Sequence, residues 1–159
     1  MAKSVITRIT DAFYDRMRSK SAWSSATAEP VLGFDGLDGH KYALLTTYKR
    51  NGDPVPSPVW FGRSDGRLYF TTEATSPKVA RMRNNPHVRI APCAVNGKPL
   101  GSPAEGTARV LPPDEIAAAE SVIAANYGSA RKAYEAFGRA TSVSTAYIEV
   151  TPTIGTPGT

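Results

Sequence analysis

The densest run of chemistry-bearing residues is Thr71-Thr72-Glu73-Ala74-Thr75-Ser76-Pro77-Lys78. A strand ends there in hydroxyls and a helix opens, with Ser76 as its N-cap and Pro77 at the first helical position. A helix start presents free N–H groups and the positive end of the helix dipole, and both suit a phosphate. Lys78 falls in the first turn, where a cation opposes the dipole. That placement makes sense when an anion sits between the two; a solvated lysine is the alternative. Arg81 lies one turn on, near the same face.

A second run, Pro54-Val55-Pro56-Ser57-Pro58-Val59-Trp60, has prolines at three alternate positions. In a strand they all point their nitrogen to one edge, which then lacks donors at 54, 56 and 58 but keeps its carbonyls. Such a strand is either a sheet edge protected from aggregation or a surface along which a flat ligand lies. The pattern alone allows both.

Other chemistry is thin. There is no GxSxG elbow, no P-loop, no HExxH and no GxGxxG after a strand. His40 and His87 stand far apart, and a lone histidine is more often structural than catalytic. The single cysteine, Cys93, lies mid-strand as a small apolar filler; it has no disulfide partner, and no metal cluster is suggested. No acidic pair suits acid–base work, so no catalytic side chain is expected. An enzyme built this way leaves the hard chemistry to a cofactor and supplies its position.

Charge reinforces the anion reading. Of 159 residues, 19 are Lys or Arg and 14 Asp or Glu, a net charge of +5. No acidic residue falls between Glu73 and Glu105, whereas Lys78, Arg81, Arg83, Arg89 and Lys98 do. Such a focus attracts a phosphate, a carboxylate tail or a nucleic-acid backbone; a solvated basic face is the plain alternative. Nucleic acid is disfavoured, because the cations gather at a helix start and not in a spread stripe with aromatic platforms.

The elements that must position these residues follow from periodicity. Residues 3–20 read as a helix, with Val5, Ile6, Ile9, Phe13 and Met17 forming a packing face. Its basic character keeps a membrane-surface role as the alternative. Residues 21–39 read as a loop. Strands are expected at 42–48, 55–61 and 67–72, joined by turns at Asn51-Gly52-Asp53 and Ser64-Asp65-Gly66. The helix opened by Ser76 stops before Asn85-Pro86. Strands at 88–95 and 106–111 flank the turn Asn96-Gly97-Lys98. A helix opens at Pro112-Pro113-Asp114-Glu115 and runs to about Asn126; another follows Gly128, and a last strand covers 145–150. The division is a helix and loop at 1–39, a barrel domain at 40–150 and a flexible tail at 151–159. Length suits one domain. No apolar run reaches the roughly 20 residues of a membrane span, and the N-terminus lacks a secretory pattern, so a cytoplasmic protein is expected.

The segments YALLTTYKRNGDPVPSPVWF, GRLYFTTEATSPKVARMRNNPHVRIAPC and GTARV, in that order, resemble the pyridoxamine-phosphate-oxidase-like split barrels. The resemblance is nearest to the deazaflavin-dependent branch, the B group of the flavin/deazaflavin oxidoreductases, and covers about 40–150. It implies an all-β core with peripheral helices, a six-stranded antiparallel split β-barrel, and a homodimer with two cofactor sites at the subunit interface.

Residue by residue, the resemblance implies that Lys78 grips the cofactor phosphate, with Thr71, Thr72, Ser76 and Pro77 beside it. Pro56, Ser57, Pro58, Val59 and Trp60 are similar to the strand that runs along the ring system, and Arg81 is placed towards an acidic tail. In FMN-binding oxidases of the wider superfamily an arginine and a further lysine line that strand. Here Pro56 and Phe61 stand in those places, which favours coenzyme F420 over FMN. The implied activity is hydride transfer between reduced F420 and an organic acceptor such as a quinone, an enone or a tetrapyrrole. The alternatives are an FMN-dependent oxidoreductase and a non-catalytic binder of flavin, deazaflavin or haem, for which His87 offers one ligand.

Overall fold

A computed structural model describes residues 20–127 and 144–153. The expected helix at 3–20, the helix after Gly128 and the tail from 154 onward lie outside the described residues, apart from Lys20.

Among the described residues, seven strands and two α-helices follow one another: β1 (Tyr42–Tyr48), β2 (Pro54–Val59), β3 (Phe61–Ser64), β4 (Arg67–Glu73), α1 (Pro77–Asn84), β5 (His87–Cys93), β6 (Ala104–Val110), α2 (Ile116–Tyr127) and β7 (Thr145–Pro152). The turns form for the expected reasons. Asp65 and Gly66 both have positive φ, 54° and 77°, the mirror-image turn that matches strand twist in a two-residue hairpin. Ser76 caps α1 by accepting from the Val79 amide, and Pro77 follows at its start.

All seven strands belong to one antiparallel sheet in the order β2-β1-β5-β6-β7-β4-β3. Its two outermost strands are the halves of a single segment. The sheet therefore curls until its edges meet covalently at Trp60, a curled half-barrel. This corrects the six-strand expectation, in which 55–61 was one strand. At Trp60 the chain leaves the side of β1, where Val59 pairs with Ala43, and joins β4, where Phe61 pairs with Phe70. Both pairings are the hairpins expected from the turns at 51–53 and 64–66, whereas the break between them is not written in the segment's own sequence.

The interior is filled from every wall, by Leu45, Val59, Phe70, Ile90 and Ile148 among others, and α1 adds Val79 and Met82. Burying each such side chain contributes about 1.5–3 kcal/mol. A smaller cluster of Ala22, Leu44, Ala91 and Cys93, with Tyr42, forms on the other face of β1. The stretch expected as a plain loop is its cover. A 3-10 turn at Lys20–Ala26 supplies Ala22, and a second at Asp35–Leu37 brings Leu37 into the main core beside Phe34. Phe34 lies against Gly106, where an added Cβ would sit 3.1 Å from its ring. On the far wall α2 rests directly on β3: a Cβ at Gly62 would lie 2.3 Å from the Val122 carbonyl oxygen.

Among the described residues, no helix is long and apolar enough to cross a membrane. Among them also, no group of three or more His, Cys, Asp or Glu is placed to hold a metal.

Candidate functional site

The start of α1 is built from the end of β4. Along β4, Leu68 and Phe70 point inward, so Thr72 shares their face and Thr71 takes the opposite one, paired with Tyr147. Thr72 turns towards the helix start, with its Oγ1 3.4 Å from Ser76 Oγ. Lys78 is half-buried in a first turn that contains no acidic residue. Nothing in that turn competes with an incoming anion for the positive end of the dipole.

Arg81 ties this helix to the sheet. Its Nε donates to Thr47 Oγ1 at 2.7 Å, and the Thr47 hydroxyl makes a long contact of 3.5 Å with the Val55 carbonyl. The start of β2 is thus linked to α1 through β1. Thr47 was missed by sequence reasoning; an inward threonine at a strand end carries no local signature.

The β2 prolines face outward along the sheet edge. A proline cannot donate to β1, so the ladder must run through Val55, Ser57 and Val59, opposite Thr47, Leu45 and Ala43. Positions 54, 56 and 58 turn their backbone to the side of β2 away from β1, as the alternation requires. The side chains split between two faces: Val59 belongs to the main core, whereas Pro56, opposite Thr46, is buried on the face of the smaller cluster. Pro58 shares the face of Pro56, and Ser57 that of Val59.

Trp60 lies at the other end of β2, roughly 16 Å of extended chain from Val55. Its indole stacks on Tyr127 at 4.5 Å and 21°. The end of α2 holds the crossover tightly. The Phe61 amide donates to the Tyr127 hydroxyl at 2.7 Å, that hydroxyl donates to the Lys41 carbonyl at 2.5 Å, and Asn126 Nδ2 donates to the Phe61 carbonyl at 3.0 Å. Sequence reasoning placed Asn126 at a helix end and gave no part to Tyr127. Their partners lie 65 or more residues away in the chain.

The basic stretch is less uniform than its composition. Arg89 is committed: it donates to the Ser25 and Ala28 carbonyls at 2.9 and 2.8 Å and to Glu105 at 3.0 Å. It fastens the 3-10 cover to the sheet. His87 stacks against Tyr48 at 5.6 Å, and burial raises the Tyr48 phenol above its ordinary pKa. Burial pushes the Cys93 thiol up to about 12, so it stays protonated near neutrality. The His40 carbonyl accepts from Asn126 Nδ2 at 3.4 Å.

A cavity of about 290 Å³ opens elsewhere, lined by Met82, Arg83, Pro86, Ala108, Arg109, Val110 and Ile148. It borders the C-terminal half of α1, and none of the expected site residues line it. Its Arg109 is held by Glu115 at 2.8 Å and the buried Glu149 at 3.1 Å, so its charge is already compensated. The phosphate-type corner at Thr72, Ser76 and Lys78 therefore remains the better candidate.

Similar folds occur among solved structures. The haem storage protein HutZ from Vibrio cholerae is 14% identical, with 76% of this chain and 87% of that one covered and a TM-score of 0.58. A FAD-binding protein from Mesorhizobium loti is 17% identical, with 74% and 82% covered and a TM-score of 0.53. A haem-binding protein from Mycobacterium smegmatis is 22% identical, with 84% and 51% covered and a TM-score of 0.54. At these identities the likeness shows the fold alone. A search of curated proteins gives no match. A family model described as pyridoxamine 5'-phosphate oxidase matches residues 34–153. That stretch opens at the buried Phe34 and closes at Thr153, whose amide donates to the Glu105 carbonyl at 2.8 Å. It takes in every described strand and both described α-helices, and the chain belongs to the pyridoxamine 5'-phosphate oxidase family of split barrels.

Proposed function

We propose that this chain binds the deazaflavin coenzyme F420 and serves as an oxidoreductase that passes a hydride to an organic acceptor. The observation that carries the reading is the corner formed by Thr72, the Ser76 cap and Lys78, in a first helical turn without an acid. Family membership and the FAD-binding fold relative support a flavin-type cofactor.

The residues fit such a group. Helix amides and the Lys78 ammonium would hold a phosphate, with the Thr72 hydroxyl beside them. The run Pro56, Ser57, Pro58, Val59 and Trp60 would border the ring system. At Pro56 and Pro58 the backbone has no donor to offer it. Arg81, already engaged with Thr47, would stiffen the corner and extend its positive field towards an acidic tail. When bound, the reduced deazaflavin supplies the hydride from C5. The chain contributes orientation and exclusion of water, and no side chain has to move a proton.

The choice of F420 over FMN rests on Pro56 and Phe61, where a basic strand would be expected for FMN. Fluorescence titration of the purified protein with each coenzyme tests it. Tighter binding of F420 is expected; an FMN affinity about tenfold better, a difference near 1.4 kcal/mol, would overturn the assignment.

A further inference from the structure

We propose that Tyr127 is a positioning residue that locks the barrel seam and thereby fixes Trp60 at the ring end of the cofactor slot. This rests on the reading of Pro56 to Trp60 as the ring-side strand. β3 is the last strand in the sheet order, so among the described residues no strand neighbours its outer edge. At Phe61 that edge would leave a donor and an acceptor without a ladder. Side chains from the last turn of α2 take both: the Tyr127 hydroxyl accepts from the Phe61 amide, and Asn126 Nδ2 donates to the Phe61 carbonyl.

The same two residues reach the entrance of β1. Tyr127 donates to the Lys41 carbonyl and Asn126 to the His40 carbonyl. One tyrosine hydroxyl thus bridges the approach to β1 and the first residue of β3, the two sides of the crossover. Lys41 completes the arrangement. Its ammonium donates to the Asn126 carbonyl, near the negative end of the α2 dipole, and lies 5.6 Å from the Tyr127 ring centre. The ring so held is the one on which Trp60 stacks. α2 lies so close on β3 at Gly62 that an added Cβ there would meet the Val122 carbonyl. Trp60 is therefore aimed by a rigid helix end, which is what a slot for a flat ring needs.

The chain has two tryptophans, and Trp23 is exposed. A Trp23→Phe parent leaves Trp60 as the sole indole reporter. In that parent, Tyr127→Phe keeps the stack and deletes the hydroxyl, and Tyr127→Leu deletes both. F420 and FMN affinity, Trp60 emission and the unfolding midpoint are measured for each.

Misaiming the ring wall should weaken the coenzyme that the parent binds by roughly tenfold or more in Tyr127→Leu, with Tyr127→Phe between, and should redden Trp60 emission. A merely structural tyrosine would lower the midpoint and leave the affinity of the folded protein unchanged. Affinity within about twofold of the parent in folded Tyr127→Leu overturns the proposal. Should that variant not fold, unchanged affinity and unchanged emission in Tyr127→Phe overturn it equally. A parent that binds neither coenzyme overturns the cofactor reading, and this role with it. A binding parent with indifferent variants overturns the role alone.

Discussion

Lys78 stands where a cation costs a helix stability, and no acid in its turn offsets it. That makes it the most informative single residue. Lys78→Ala should remove a charge-assisted contact to phosphate worth about 1.5–3 kcal/mol, or roughly ten- to a hundredfold in cofactor affinity. Unfolding without cofactor should hardly change, because Ser76 and Pro77 keep the helix start and the dipole is slightly relieved. A solvated lysine would leave affinity untouched. A nucleic-acid contact would show as weaker DNA or RNA binding with a smaller salt slope. Cofactor affinity within about a factor of two of the unaltered protein would put the phosphate site elsewhere.

At the scale of elements, two helices hold the candidate site at opposite ends of β2. α1 reaches it through Arg81, Thr47 and Val55, and α2 through Tyr127 and Trp60. The second attachment depends on how closely α2 can approach β3, which Gly62 permits. An alanine Cβ there would meet the Val122 carbonyl oxygen at 2.3 Å, and the neighbouring atoms are backbone, which cannot swing aside. Gly62→Ala should cost about 1–3 kcal/mol of stability, as overpacking does. It should also loosen the seam at Trp60. Chemical denaturation checks the first effect and Trp60 emission the second; a variant as stable as its parent would show that α2 can lift away freely.

At the scale of the molecule, the sheet meets itself at Trp60, yet β2 has a partner strand on one side only, β1, in the strand order of the described residues. Exposed apolar residues add to the surface left over, among them Leu32, Val95 and Leu100. A homodimer with cofactor sites at the subunit interface is the arrangement we expect. Light scattering at micromolar concentration with cofactor bound should give twice the chain mass. A cofactor-bound monomer would contradict it and require a slot formed within one chain.

The amino-acid sequence by itself determined the local features. Asp65-Gly66 and Asn96-Gly97 marked turns because few other residues adopt their backbone angles, with Gly66 at φ 77° and Gly97 at φ 88°. Ser76-Pro77 marked the start of α1, and the alternating prolines marked an edge that cannot donate, since each rule involves only a residue and its near neighbours. Tertiary structure alone decided that 54–64 breaks at Trp60 and serves both ends of the sheet. It also decided that Phe34 and Leu37 leave a loop for the core, that Arg89 is spent on Glu105 and two carbonyls, and that Tyr127 closes the seam. In each of these cases the partner lies far along the chain. Which distant groups meet depends on how the whole sheet curls to bury its apolar face, and a local window of sequence does not carry that information.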